Sequence, residues 1–235
     1  RTSISWAMVA TTLLAPLAHM FTTYLAKYAH DSRARALYLS NGLAVSGLFL
    51  IITVIINGVL SVLTDITSSA VWFVLFGLAV FHLYTGFLRG NFRFLRLAVY
   101  QTSQSVLQIV TLALLIAFNK ASVYSVLVIY GSAWIITALV LEGLSYSRRK
   151  WSIAPPSRDM FKELLSFSVP LIASYAIHTL LLNGDILMLR MVSNETQVGY
   201  YGVANSLAAM LLFIGNSVFS VILPTSSRLS GDEGL

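Results

Sequence analysis

The chain has 235 residues, of which 57% are hydrophobic and only 10% charged, far below the quarter or so of charged residues in ordinary soluble domains. That composition excludes a water-soluble single core. With roughly 20 apolar residues needed per crossing of a bilayer, the length accommodates about seven helical spans and little else. A net charge of +6 leaves nucleic acid open until the basic residues are placed, while the absence of cysteine excludes disulfides, thiol nucleophiles and thiolate metal sites.

Seven apolar stretches run over 3–26, 37–63, 70–88, 94–118, 121–144, 164–189 and 197–225. They are continuous rather than alternating, so helices are expected and barrel strands are not. Pro16 lies mid-span in the first and is a candidate kink, Pro170 sits early in the sixth, and Pro224 near the end of the seventh reads as a stop. The short Asn119-Lys120-Ala121-Ser122 connection predicts an antiparallel hairpin of the fourth and fifth helices. The longest connection, from about Ser145 to Glu163, carries Ser-Arg-Arg-Lys-Trp, then Ala-Pro-Pro-Ser, then an amphipathic stretch that starts the sixth helix. It reads either as an ordinary basic loop or as a linker lying on the anionic inner leaflet between two lobes.

Lysine and arginine accumulate in cytoplasmic loops of membrane proteins. Twelve of the fifteen here fall in alternate connections: Lys27, Arg33 and Arg35; Arg89, Arg93 and Arg96; Arg148, Arg149, Lys150, Arg158 and Lys162; and Arg228. Arg1, Lys120 and Arg190 fall on the other side. The alternation supports seven spans with Arg1 outside, and it assigns the positive charge to the membrane rather than to nucleic acid. A chain that opens at Arg1 and is apolar by Ile4 has no signal-peptide layout and reads as an internal fragment.

Polar side chains within spans face other helices or a wet cavity. Gln101, Gln104, Gln108 and Thr111 share one face of the fourth helix, and His82, Thr85 and Arg89 share one face of the third. Ser174, His178 and Asp185 mark the sixth, Tyr201, Asn205, Asn216 and Ser220 the seventh, whereas His19 and Asn57 stand more isolated. Interhelical hydrogen-bond glue accounts for such stripes as readily as a transport path does. Asp185 fits a cavity charge or proton-coupled group, with a local ion pair to Arg190 as the competing explanation. His178, two turns earlier, shares its face, so a titrating pair is a further option.

Several chemistries lack their residues. A retinal photoreceptor needs a lysine in the middle of the last span, and no span has one. An intramembrane aspartyl protease needs two facing aspartates, but the only partner for Asp185 is Asp65 in an outer loop. No Gly-x-Ser-x setting with a base, no His-x-x-x-His spacing and no phosphate-binding glycine loop occurs, so no enzyme, no metal and no cofactor is expected.

The stretches Leu165-Ser166-Phe167-Ser168-Val169-Pro170-Leu171-Ile172, Asn183-Gly184-Asp185-Ile186-Leu187-Met188-Leu189, Val198-Gly199-Tyr200-Tyr201-Gly202-Val203-Ala204 and Leu223-Pro224 resemble the polysaccharide biosynthesis flippases of the multidrug/oligosaccharidyl-lipid/polysaccharide exporter superfamily. Tyr24-Leu25-Ala26-Lys27-Tyr28 with Asp31 and Arg33-Ala34-Arg35, and Gly86-Phe87-Leu88-Arg89-Gly90, resemble the ends of that family's second and fourth helices. The resemblance implies an all-α, polytopic membrane protein: seven spans of a larger two-lobe inverted bundle, here a fragment, lacking the first helix and most of the second lobe. Residues 1–145 would supply five spans of the first lobe, 146–163 a basic cytoplasmic linker, and 164–235 the first two spans of the second lobe. It implies a multi-pass protein of the cytoplasmic membrane that flips lipid-linked oligosaccharide by alternating access. Its partners would be that lipid, the bilayer and a coupling ion, H+ or Na+. His82, Arg89, His178, Asp185, Asn205 and Asn216 are the candidate residues of the substrate path. The alternatives are a cation-coupled drug exporter of the same superfamily and a membrane scaffold or receptor without transport. The first is disfavoured because the five first-lobe spans hold only one carboxylate, Glu142.

Overall fold

The structure, a computed structural model, describes residues 3–64, 70–120, 122–143 and 154–232. These form seven helices in chain order: α1 (Ser3–Lys27), α2 (Ser32–Thr64), α3 (Ala70–Gly90), α4 (Phe94–Ala117), α5 (Val123–Gly143), α6 (Arg158–Val192) and α7 (Glu195–Asp232). No strand occurs among the described residues. Five helical segments there are long and apolar enough to cross a membrane: Ser32–Ile56, Ala70–Gly90, Phe94–Ala117, Val123–Gly143 and Arg158–Leu182. The basic run Arg148, Arg149 and Lys150 lies outside the described residues, as does Asp65.

Local chemistry sets the helix ends. The carboxylate of Asp31 accepts the backbone N–H groups of Arg33 and Ala34 at 2.9 and 3.0 Å, so α2 starts at Ser32, earlier than the apolar pattern indicates. The α3 and α4 termini each close with paired backbone bonds: Arg93 N–H to Leu88 O and Phe92 N–H to Arg89 O, then Lys120 N–H to Leu115 O and Asn119 N–H to Ile116 O. This motif places one residue in the left-handed region, Phe92 at φ 54° and Asn119 at φ 53°. Asparagine tolerates that conformation; phenylalanine bears it at a cost.

Two expectations are corrected. Pro224 does not stop α7, which continues to Asp232. α6 begins at Arg158, with the amphipathic stretch expected to start it, so Pro170 lies inside α6 rather than near its start. Each proline removes a single backbone donor, the one facing Ser220 O or Ser166 O, and both helices continue past it.

The bundle is organised around α3, which packs against α1 on one side and α5 on the other. α2, α6 and α7 gather on α1, and α4 lies against α5. Both α3 contacts are backbone approaches. A Cβ on Gly86 would stand 2.6 Å from Ala18 O, and one on Gly90 2.7 Å from Phe21 O. At the other crossing a Cβ on Gly77 would strike the backbone of Gly131, and one on Gly131 the backbone of Phe73. Small residues at such crossings let helices exchange dispersion contacts that bulky side chains would prevent, the main attraction available where lipid removes the hydrophobic drive. Thr22, fully enclosed, sits at the first crossing with its hydroxyl on Ala18 O at 2.7 Å and near Gly86 O at 3.4 Å. Leu14, Leu17, Leu25, Leu75 and Trp134 fill the space alongside.

Gly131→Val should therefore lower the stability of the detergent-solubilised protein by about 1–3 kcal/mol through overpacking. Gly47→Ala, where a Cβ would meet nothing within 4 Å, should leave it unchanged or slightly higher. Thermal melting followed by size-exclusion chromatography reads the difference.

Candidate functional site

The contacts bring the basic connections to one end of the bundle. Arg228 near the end of α7 meets His30 in the α1–α2 turn at 3.1 Å, and its guanidinium lies 5.7 Å from the ring centre of Phe92 in the α3–α4 turn. The start of α6 is tied to α2: Ala154 N–H donates to Ser40 Oγ at 3.1 Å, Ser157 N–H to Asn41 Oδ1 at 3.0 Å, and Tyr38 O–H to Glu163 Oε2 at 3.0 Å. Tyr38 also stacks on Tyr24 and Tyr28, with ring centres 4.8 and 4.6 Å apart.

Moving up the bundle from this basic end, α3 carries His82 and Arg89 on one face. His82 Nε2 and Arg89 Nε are both buried, and neither has a hydrogen-bond partner among the described residues. They are joined by two groups from other helices. His19 of α1 lies within electrostatic range of both, and Tyr175 of α6 within range of Arg89. His19 Nε2 and the Tyr175 hydroxyl form a short hydrogen bond that links α1 to α6, their rings 5.5 Å apart. The groups acting on one another here are a cation, two imidazoles and a phenol, with no carboxylate among those found. Each buried polar nitrogen left unmatched costs about 1–3 kcal/mol; Arg89 Nε–H donates, and His82 Nε2 donates in the tautomer that carries its proton there, in which the pair suits an anionic guest.

The remaining candidates lie elsewhere. His178 and Asp185 are exposed on α6, and Asn205 is half-buried on α7. The partner found for Asp185 is Tyr201, whose hydroxyl donates to Oδ2 in a short bond between α6 and α7, while Ile186 N–H donates to Oδ1 at 2.8 Å. The side chains of Asn216 and Arg190 lie outside the described set, so the expected Asp185–Arg190 pair is not described. On α4, Gln104 is buried, and Gln108 Nε2 donates to Tyr130 O of α5 at 3.2 Å, which is the glue reading for that residue. Glu142 of α5 accepts from the Tyr84 hydroxyl at 2.9 Å.

His19, set apart as isolated in the sequence, is a member of the cluster, because the Ala18–Gly86 crossing places it against α3. Tyr175 went unmarked for want of any spacing signal. Only its place one turn before His178 puts it on the polar side of α6.

The family described as polysaccharide biosynthesis protein matches residues 3–230. Neither the curated proteins nor the solved structures offer a match.

If the unmatched donors await an anion, inorganic pyrophosphate should raise the melting temperature of the solubilised full-length protein, since a ligand that binds only the folded state stabilises it. Arg89→Gln should remove that rise, whereas Gln108→Ala should retain it.

Proposed function

We propose that this chain, which belongs to the polysaccharide biosynthesis protein family, flips lipid-linked oligosaccharide across the cytoplasmic membrane by alternating access. The chain is a membrane protein of a transport family by its helices and its match. The observation that supports the finer reading is the part-buried group of Arg89, His82 and His19 beside Tyr175 of α6, with two buried nitrogens that have no partner among the described residues. A phosphate-linked lipid brings oxygens that accept from such donors and a charge that Arg89 offsets. The sugars would occupy the polar surface of α6 and α7, including His178, Asn205 and Asn216, while the lipid tail stays in the bilayer.

In this reading α1 and α7 are spans too, giving seven, and the basic end faces the cytoplasm. Helices α1–α5 (residues 1–145) belong to one lobe, 146–163 is the connection, and α6 and α7 (164–235) open the second. The site does its work by holding charge and not by making or breaking covalent bonds. Asp185 with Tyr201 is the place where a coupling ion, H+ or Na+, would act, because it is the carboxylate on the face of α6 turned toward α7. A drug exporter that takes up cations has less support: Glu142, the carboxylate within α1–α5, is engaged by Tyr84 rather than facing the α1–α6 seam. A scaffold or receptor without transport would leave the unmatched donors of α3 without a use.

The decisive assay is flipping of a fluorescent lipid-linked oligosaccharide by the full-length protein in proteoliposomes. Arg89→Ala should slow it about tenfold or more, the effect of losing roughly 1.4 kcal/mol of charge stabilisation. Asp185→Asn should flatten the dependence of the rate on the ion gradient. Unchanged flipping in both variants would remove these assignments.

A further inference from the structure

At the basic end the two second-lobe helices are attached to the first lobe in different ways. The attachment of α6 is built from anchored groups. Asn41 is fully buried, and its Nδ2 donates to Leu37 O at 2.8 Å, so the Oδ1 that receives Ser157 N–H is held in one orientation. Ser40 is pinned likewise, its hydroxyl donating to Ala36 O at 3.0 Å while it accepts Ala154 N–H. A little further along, Glu163 takes the Tyr38 hydroxyl, the rings of Tyr24 and Phe167 meet edge-on at 5.4 Å, and Ser168 is wholly enclosed against Met20. Separating these surfaces would strip buried polar groups of their partners.

α7 packs along α1 as extensively as α6 does, but at this end its described side chains attach it through weaker groups. Pro224 and Ser227 are buried, but both are small, and the groups at their rim are exposed ones: Arg228, its Nη2 on His30 Nε2, and its guanidinium over Phe92. An exposed cation–π contact is worth about 0.5–1 kcal/mol. Phe92 is the informative member. It occupies the left-handed position of the α3–α4 turn at φ 54°, where glycine would serve the backbone better. Its ring meets Phe94 edge-on with centres 6.1 Å apart, and it also reaches beyond the turn to lie under Arg228.

We infer that Arg228, His30 and Phe92 form a releasable latch that closes the basic-end mouth between α7 and the first lobe, while the start of α6 is a fixed joint about which the second lobe turns. Weak exposed contacts suit a latch because a two-state equilibrium must be moved by the modest differential binding of a substrate. The latch rests on contacts of the fold; only its consequence for flipping rests on the transport reading above.

The 235 residues contain no cysteine, so a single thiol introduced within them reports unambiguously there. Ser227→Cys places one in the buried seam beside the latch. In full-length protein in proteoliposomes, labelling of that thiol by a membrane-impermeant maleimide from the basic side should accelerate about threefold or more on adding Arg228→Ala, the scale of one lost exposed contact. Phe92→Gly should do the same while leaving the melting temperature unchanged or higher, which separates the latch from a structural role of the turn. A thiol-to-thiol cross-link between Phe92→Cys and Arg228→Cys should stop flipping, and one between Ser40→Cys and Ala154→Cys should spare it. Labelling that neither Arg228→Ala nor Phe92→Gly accelerates, or full flipping with the 92–228 link in place, would overturn the inference. Faster labelling in a protein that flips no lipid-linked oligosaccharide would uphold the latch and remove the transport reading.

Discussion

The architecture depends on how closely the backbone of α3 approaches its two neighbours. Gly86 and Gly90 lie against the carbonyls of Ala18 and Phe21, and Gly77 lies against Gly131. In a bilayer leucine gains little by leaving lipid for protein, so helix association rests on dispersion and on the few hydrogen bonds that span the gap. Absent side chains at these crossings therefore matter more than the large ones around them. Thr22, hydrogen-bonded to Ala18 O and reaching toward Gly86 O, adds polar contact at the same point without widening it.

The same packing places the candidate site, because α3 is also the helix that carries Arg89, its Nε buried. Held between α1 and α5, it cannot turn about its axis and carry Arg89 away from the seam of α1 and α6 without losing both glycine crossings. The guanidinium thus stays beside His82 and His19, where Tyr175 brings in α6. A cation retained inside a membrane bundle is costly and marks a path or a ligand. Its position at the seam between α1 and α6 places it where a shift between those two helices would change its surroundings, whereas Glu142 and Gln108 are occupied with holding helices together.

Much of this was legible in the chain and some was not, for physical reasons. Continuous apolar runs located every helix, since lipid demands about 20 such residues whatever the tertiary fold. Alternation of basic connections anticipated a basic end, and Arg228 meeting His30 and Phe92 unites three of those connections. The 3–4 spacing of His82 and Arg89 showed their common face because periodicity is local. His19 was hidden: its relation to α3 is a crossing between residues far apart in sequence, and no pattern within α1 reports it. Asp185 drew attention as a membrane carboxylate, and its bond from Tyr201 of the next helix is one that no spacing within α6 reports. Pro224 misled because one missing backbone donor weakens or bends a helix without ending it, and α7 runs on to Asp232.

The central claim is that glycine crossings hold Arg89 and His82 ready for an anion at the seam of the two lobes. An experimental structure of the full-length protein with its lipid-linked oligosaccharide bound tests this most directly. The account predicts phosphate density within hydrogen-bond reach of Arg89 and His82, with α3 still pressed against Ala18 and Gly131. Phosphate bound elsewhere, with Arg89 and His82 unchanged and enclosed, would contradict it.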